Sequence, residues 1–318
     1  MWARVYDRAR GSSPVRGAVN IAATILVIVV LLVVLDATGV VDGPFIAHWW
    51  PFLVGPAATA LFVTSLSFGI GFLVAIPLGL LRAYGPNLIR RRGPTTVALA
   101  PLYGLASAYV EAIRGTPVFV QILLVSALAT RTFQGVANIE LWAGVLALTV
   151  NTIGYQAEVF RAGFQSIGQG QIEAAKSIGM GPVRTFLHVS LPQGLRLVTL
   201  PLANEWIGLF KASALLWYVA VKELMWAGNY VGYTQIHPIE ALFLVAFFYL
   251  VIIIPLSRGV NLLERKIRIP GLGVPEPGRV SRIRSASSPG PSRDSQARVS
   301  PVPWIRSLYK SSFISAGR

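Results

Sequence analysis

The sequence predicts an all-α, polytopic membrane protein with about six transmembrane helices, and three observations carry that prediction. Hydrophobic residues fill 54% of the 318 positions and charged residues only 13%, with a mean hydropathy of +0.61. A soluble domain carries about a quarter charged residues. The apolar residues gather into runs long enough for a helix to cross roughly 30 Å of hydrocarbon. The basic residues behind the net charge of +15 sit in short segments between those runs and in the C-terminal region. That distribution suits cytoplasmic loops beside anionic membrane lipid, so lipid is the expected contact and nucleic acid is not.

The first run, Val19 to Leu35, follows Arg4, Arg8, Arg10 and Arg16 and reaches Asp36 without an Ala-x-Ala cleavage site. It reads as a retained anchor over 19–38 behind a cytoplasmic segment 1–18. The second run, Ala57 to Leu81, is closed by Arg82 and then Arg90, Arg91 and Arg92. His48-Trp49-Trp50 falls in the preceding outside loop, where interfacial aromatics belong. Further runs cover Thr96 to Thr130, Leu141 to Phe160, Arg196 to Tyr218 and Ile239 to Leu256.

The stretch from Thr96 to Thr130 is resolved by orientation. The basic loops on either side, at Arg82–Arg92 and at Arg161–Arg184, both belong in the cytoplasm. Leu141–Phe160 supplies one crossing between them, so Thr96–Thr130 must cross an odd number of times and is too short for three. It is expected to cross once, as an interfacial lead-in followed by a span starting near Thr116-Pro117. Both termini then lie inside. Residues 271–318, rich in Ser, Arg, Pro and Gly with no apolar periodicity, read as a disordered basic tail.

Cysteine is absent and the three histidines are scattered, so disulfides, thiolate chemistry and a histidine metal site are not expected. No Gly-Lys dipeptide occurs, so no phosphate-binding P-loop is present. No Ser/His/Asp set stands at catalytic spacing. No catalytic residue, cofactor or metal is assigned.

The most informative polar stretch is the loop 161–195. Gly168 and Gly170 break the preceding helix. A short helix from about Gln171 to Ile178 then stops at Gly179, with Gly181-Pro182 preventing continuation. Glu173 is placed in its first turn, where the helix dipole favours a carboxylate. Ala174 and Ala175 keep the surface small, so another protein's backbone can approach. A second helix runs from Pro182 to about Val189, and Leu191-Pro192 turns the chain back into the membrane. Such an element is a lever between a moving partner and the flanking spans.

Within the spans, charged side chains are costly and call for a partner or a path. Pro201, Asn204, Gly208, Lys211 and Leu215 recur at spacings of three or four and share one helical face. That small, polar stripe, with Ser213 nearby, is suited to line a translocation path. It is equally suited to helix packing, with Lys211 pairing to Glu205 or Glu223 or snorkelling outward. Arg114, Gly115, Thr116 and Pro117 read as a structural hinge, proline starting the next helix. Glu111 with Arg114, and Glu158 with Arg161, are each three apart and can pair locally.

Glu173-Ala174-Ala175, Gly179, Val189 and Leu191-Pro192, at the spacing they have here, resemble the loop by which permeases of ATP-binding-cassette importers engage their ATPase. The flanks narrow the resemblance to permease subunits for polar amino acids. They are Ala157-Glu158-Val159-Phe160-Arg161-Ala162-Gly163, Gly170-Gln171, and Tyr109 to Pro117 with Gln121. Asn204-Glu205 with Lys211 to Leu215 also follows that family. The match covers 57–268, the expected permease core, and leaves the N-terminal span as an addition. The resemblance implies the type I importer fold and ATP-driven amino-acid uptake by alternating access, at the cell inner membrane. The implied partners are two cytoplasmic ATP-binding subunits, a second permease subunit and an external solute-binding protein. Gly170, Gln171, Glu173, Ala174, Ala175 and Gly179 are then the ATPase-coupling residues. One departure stands out: the family shows Lys-Asp-Thr-Ser-Leu where this chain has Lys211-Ala212-Ser213-Ala214-Leu215.

Overall fold

The computed structural model describes residues 41–267 apart from 90–93, together with residues 26, 30, 33, 34 and 36–39. The expected anchor over 19–38 lies largely, and the tail over 271–318 entirely, outside the described residues. All regular structure among the described residues is helical: α1 (Gly43–Ile89), α2 (Pro94–Gly115), α3 (Val118–Thr132), α4 (Ile139–Gln165), α5 (Gln169–Ser177), α6 (Pro182–Thr185), a π-helical turn (Phe186–Ser190), α7 (Leu191–Ala212), a 3₁₀ turn (Ser213–Val219), α8 (Leu224–Thr234) and α9 (Pro238–Ile267). A helix is present at each of the five core runs. By length and composition α1 and α9 can cross a membrane alone, and Leu99–Gly115 with Val118–Thr132 can do so as a pair bent by 114°.

Small residues bring α1 against α4. A Cβ added at Gly79 would lie 2.7 Å from the Ala157 carbonyl oxygen and on the Cβ of Phe160, while Gly71 packs on Thr152. Since 71 faces 152 and 79 faces 157–161, the two helices run parallel. An odd number of crossings must therefore separate them, which α2 and α3 provide. Around this seam Ala75, Val110, Ala157, Phe160, Phe164 and Val198 form a buried cluster. Towards the other end of α1, Leu53, Ala57, Phe210, Leu224 and Leu244 form another. Gly194 meets Phe164 and Leu209 meets the α4 residues Val145 and Leu148, so α7 runs antiparallel to α4. Replacing Gly79 by alanine should cost about 1–3 kcal/mol through overpacking. Gly69, with open space where a Cβ would point, should accept alanine without loss. Thermal unfolding of the two purified variants gives the comparison, and equal midpoints would reject this account of the seam.

Three sequence expectations need correction. His48-Trp49-Trp50 is not in a loop. It lies in the opening turns of α1, where Trp49 contacts Phe45, His48 and Phe52 edge-on or tilted. The 47 residues of α1 span about 70 Å, far more than the apolar run alone requires. Second, the stretch after Pro117 is too short to cross by itself: the 15 residues of α3 reach only about 22 Å, against roughly 30 Å of hydrocarbon. Third, the chain does not turn at Leu191-Pro192. It stays helical from Pro182 to Ala212, passing through the π turn. Proline at the second residue of α7 is tolerated because the wide turn before it alters the hydrogen-bond register.

Candidate functional site: the coupling segment and the polar face of α7

The candidate coupling segment opens after α4 ends at Gln165. Gly168 is the residue preceding α5, and Gly170 lies within its first turn instead of breaking a helix. Because α5 begins at Gln169, Glu173 sits in the second turn, and the helix-dipole argument for it falls. Its side chain is exposed, as are those of Gln171 and Ala174. Ala175 differs: at 5% exposure it faces the body of the protein. It therefore seats the helix and leaves Ala174 as the small outward surface.

The end of α5 is closed by a specific set of backbone bonds. Met180 N–H donates to the Ala175 carbonyl at 3.1 Å and Gly179 N–H to the Lys176 carbonyl at 2.9 Å. This is the Schellman pair, which needs a left-handed residue at Gly179, and its φ is +81°. Gln193 donates to the side-chain oxygen of Gln171, fastening the start of α5 to the first turn of α7.

On α7, Pro201, Asn204, Gly208 and Lys211 are all exposed on one side. Ser213 does not join them. It is fully buried and its hydroxyl donates to the Phe210 carbonyl at 2.7 Å, because the helix tightens to 3₁₀ there and turns the side chain inward. Neither carboxylate considered as a partner reaches Lys211. Glu223 instead caps α8, accepting from the backbone N–H groups of Met225 and Trp226 at 2.9 Å each. Among the described residues Glu205 and Lys211 form no ion pair.

At Arg114–Pro117 the helix breaks. Thr116 donates to Ala112 O at 2.8 Å, and the Gln121 amide donates to Ile113 O at 2.6 Å, Thr116 O at 3.0 Å and Thr116 Oγ1 at 2.7 Å. Asn151 of α4 donates to Gln121 Oε1 at 2.8 Å. The Ile113 carbonyl, freed by the missing proline N–H, is thus satisfied inside the protein, as apolar surroundings demand.

Arg114 does not pair with Glu111. It turns to Glu158 at 3.3 Å, where Arg82 at 2.8 Å and Arg161 at 2.6 Å also converge. The Glu158–Arg161 pair matches its spacing. The other two arginines come from α1 and α2, and no local sequence pattern links them to Glu158. The cluster ties three helices together at the end of α4 that leads into the coupling segment.

A family model described as "Binding-protein-dependent transport system inner membrane component" matches residues 95–269. The chain is 40% identical over 173 residues to the probable glutamine ABC transporter permease protein GlnM of Bacillus subtilis (strain 168), covering 52% of this chain and 76% of that one. It is 31% identical over 220 residues to the L-cystine transport system permease protein TcyB of the same organism, covering 69% and 88%. Among solved structures, one titled "Crystal structure of an amino acid ABC transporter with histidines" aligns with a TM-score of 0.62 at 28% identity. That alignment covers 71% of this chain and 99% of the other.

Proposed function

Because the chain belongs to the family of binding-protein-dependent transport system inner membrane components, we propose that it is the permease subunit of an importer that moves polar amino acids by alternating access. Glutamine and cystine permeases among its relatives support that substrate class. ATP is hydrolysed by two separate cytoplasmic subunits, a second permease subunit completes the pore, and an external binding protein delivers solute. Both termini face the cytoplasm.

The observation that carries this reading is the continuity of the coupling segment with the polar face of α7. An exposed helix, closed by Gly179 and seated through Ala175, is joined to the segment bearing Asn204, Gly208 and Lys211 by Gln193–Gln171 and, past the turn at 178–181, by continuous helix from Pro182. Gly170, Gln171, Glu173 and Ala174 offer the contact surface for an ATPase, Gly179 and Ala175 fix its angle, and the α7 face lines the path. Ser213 contributes by anchoring the end of α7, not by touching solute. The Arg114–Pro117 break serves as the hinge of the bent pair.

The test is reconstitution in proteoliposomes. Uptake of labelled glutamine, glutamate, histidine or arginine is expected only when the ATPase, the binding protein and internal ATP accompany the permease. Uptake by vesicles holding this chain alone would establish an ATPase-independent transporter and overturn the proposal.

A further inference from the structure

We propose that Phe186 is a positioning residue for transport: the point at which displacement of the coupling helix is passed to α7 and made to act against α1 and α4. The inference rests on the coupling reading above and adds the joint through which coupling works.

Leu191 N–H donates to the Phe186 carbonyl, five residues back, where an α-helix would bond four back. Such a turn holds one extra residue in an otherwise α-helical rod, and it is frequent at functional sites. Here it stands between the coupling segment and the α7 face. The first residue of the wide turn fixes an aromatic side chain to the body of the protein, and the last, Ser190, is buried at 4% exposure. The Phe186 ring stacks on Phe164 of α4 with centroids 6.2 Å apart and meets Tyr84 of α1 edge-on at 6.1 Å. Tyr84 and Phe164 also touch, at 6.3 Å, so three rings from three elements close on one another.

Phe164 is held from its other neighbour as well. A Cβ at Gly194, one turn into α7, would fall 2.7 Å from the ring's Cδ1. The ring is 4% exposed, and is thus shared between the π turn and the first turn of α7. Leu187 and Val183, by contrast, are exposed at 49% and 70%. Phe186 is therefore the aromatic anchor of the segment, set between the buried Thr185 and Ser190, while the outer face of the turn is open. Displacement of α5, transmitted through Gln171–Gln193 and the 178–182 turn, then pivots on a point fixed to α1 and α4. The extra residue of the π turn supplies the slack that lets α7 rotate or slide. Without the anchor, the same displacement would be absorbed in the loose turn.

The test uses the complete complex with its ATPase and binding protein in proteoliposomes, reading solute uptake and ATP hydrolysis together. Phe186→Ala is expected to keep the ATPase bound and hydrolysing within about twofold of the unaltered complex, while uptake per ATP falls at least tenfold. Phe186→Tyr should restore the ratio, since the ring stack is kept. Phe186→Leu, which fills the space without a ring, should give an intermediate ratio and serves where the alanine variant fails to assemble. If uptake and hydrolysis fall in proportion in the alanine and leucine variants, or if both keep the normal ratio, the joint is not at Phe186. That failure is distinct from failure of the coupling assignment, in which uptake by the unaltered complex would not depend on the ATPase at all.

Discussion

Glu173→Arg and Gly179→Val are each expected to reduce uptake at least tenfold and to release the ATPase during purification, while membrane insertion of the chain stays normal. The two substitutions act by different physics. Glu173 is exposed, and among the described residues its carboxylate forms no ion pair. Reversing its charge therefore costs the isolated chain little, and any loss must come from what docks there. Gly179 faces open space, with nothing near the position of an added Cβ. The penalty for valine comes from the backbone alone, because a φ of +81° is disfavoured for a β-branched residue by roughly 1–2 kcal/mol or more. Relief of that strain unwinds the Schellman closure and swings α5 away from the angle it holds. Co-purification with a tagged ATPase and uptake in proteoliposomes are the two readouts. Wild-type uptake with ATPase still bound in both variants would remove this segment from the coupling role.

Much of this geometry could be read from sequence because it is local. The stop at Gly179 follows from glycine's tolerance of positive φ, and the α7 face follows from helical periodicity. The parallel course of α1 and α4 was reachable from arginine placement, since charge bias fixes the parity of crossings even where span boundaries are blurred. What escaped has a common cause. The start of α5 shifted two residues because Gly168 and Gly170 are weak helix breakers next to a capping position, and the first turn could absorb one of them. The π turn left no mark in the sequence pattern, and the contacts of Phe186 with Phe164 and Tyr84 join separate elements. Ser213 left the polar face because a 3₁₀ turn changes the angular advance per residue, which a fixed helical period does not foresee. The Gln121–Asn151 bond and the arginines around Glu158 are long-range contacts that only the packing of α1, α2 and α4 creates.

The second large effect is expected at Glu158. Its side chain is 19% exposed and receives Arg82, itself 9% exposed, together with Arg114 and Arg161. Glu158→Gln keeps the shape but leaves three guanidinium groups facing one another without a counter-charge. The cost is dominated by Arg82, which is buried and whose Nε already lacks a partner. Breaking a buried pair by neutralising one member costs about 3–5 kcal/mol, whereas an exposed pair three residues apart contributes only about 0.3–0.5 kcal/mol. The melting midpoint of the purified chain should fall by about 5 °C or more. Arg82→Met in the same background should recover much of the loss, because removing both charges lifts the desolvation penalty. Arg114→Met alone should matter little, since that side chain is 46% exposed. An unchanged midpoint for Glu158→Gln, or a larger loss for Arg114→Met than for Arg82→Met, would show that the cluster does not brace these helices. If it does, the junction of α1, α2 and α4 is rigid where the coupling segment departs. On the proposed coupling role, a rigid base there would direct motion of α5 into α7 and not into the rest of the bundle.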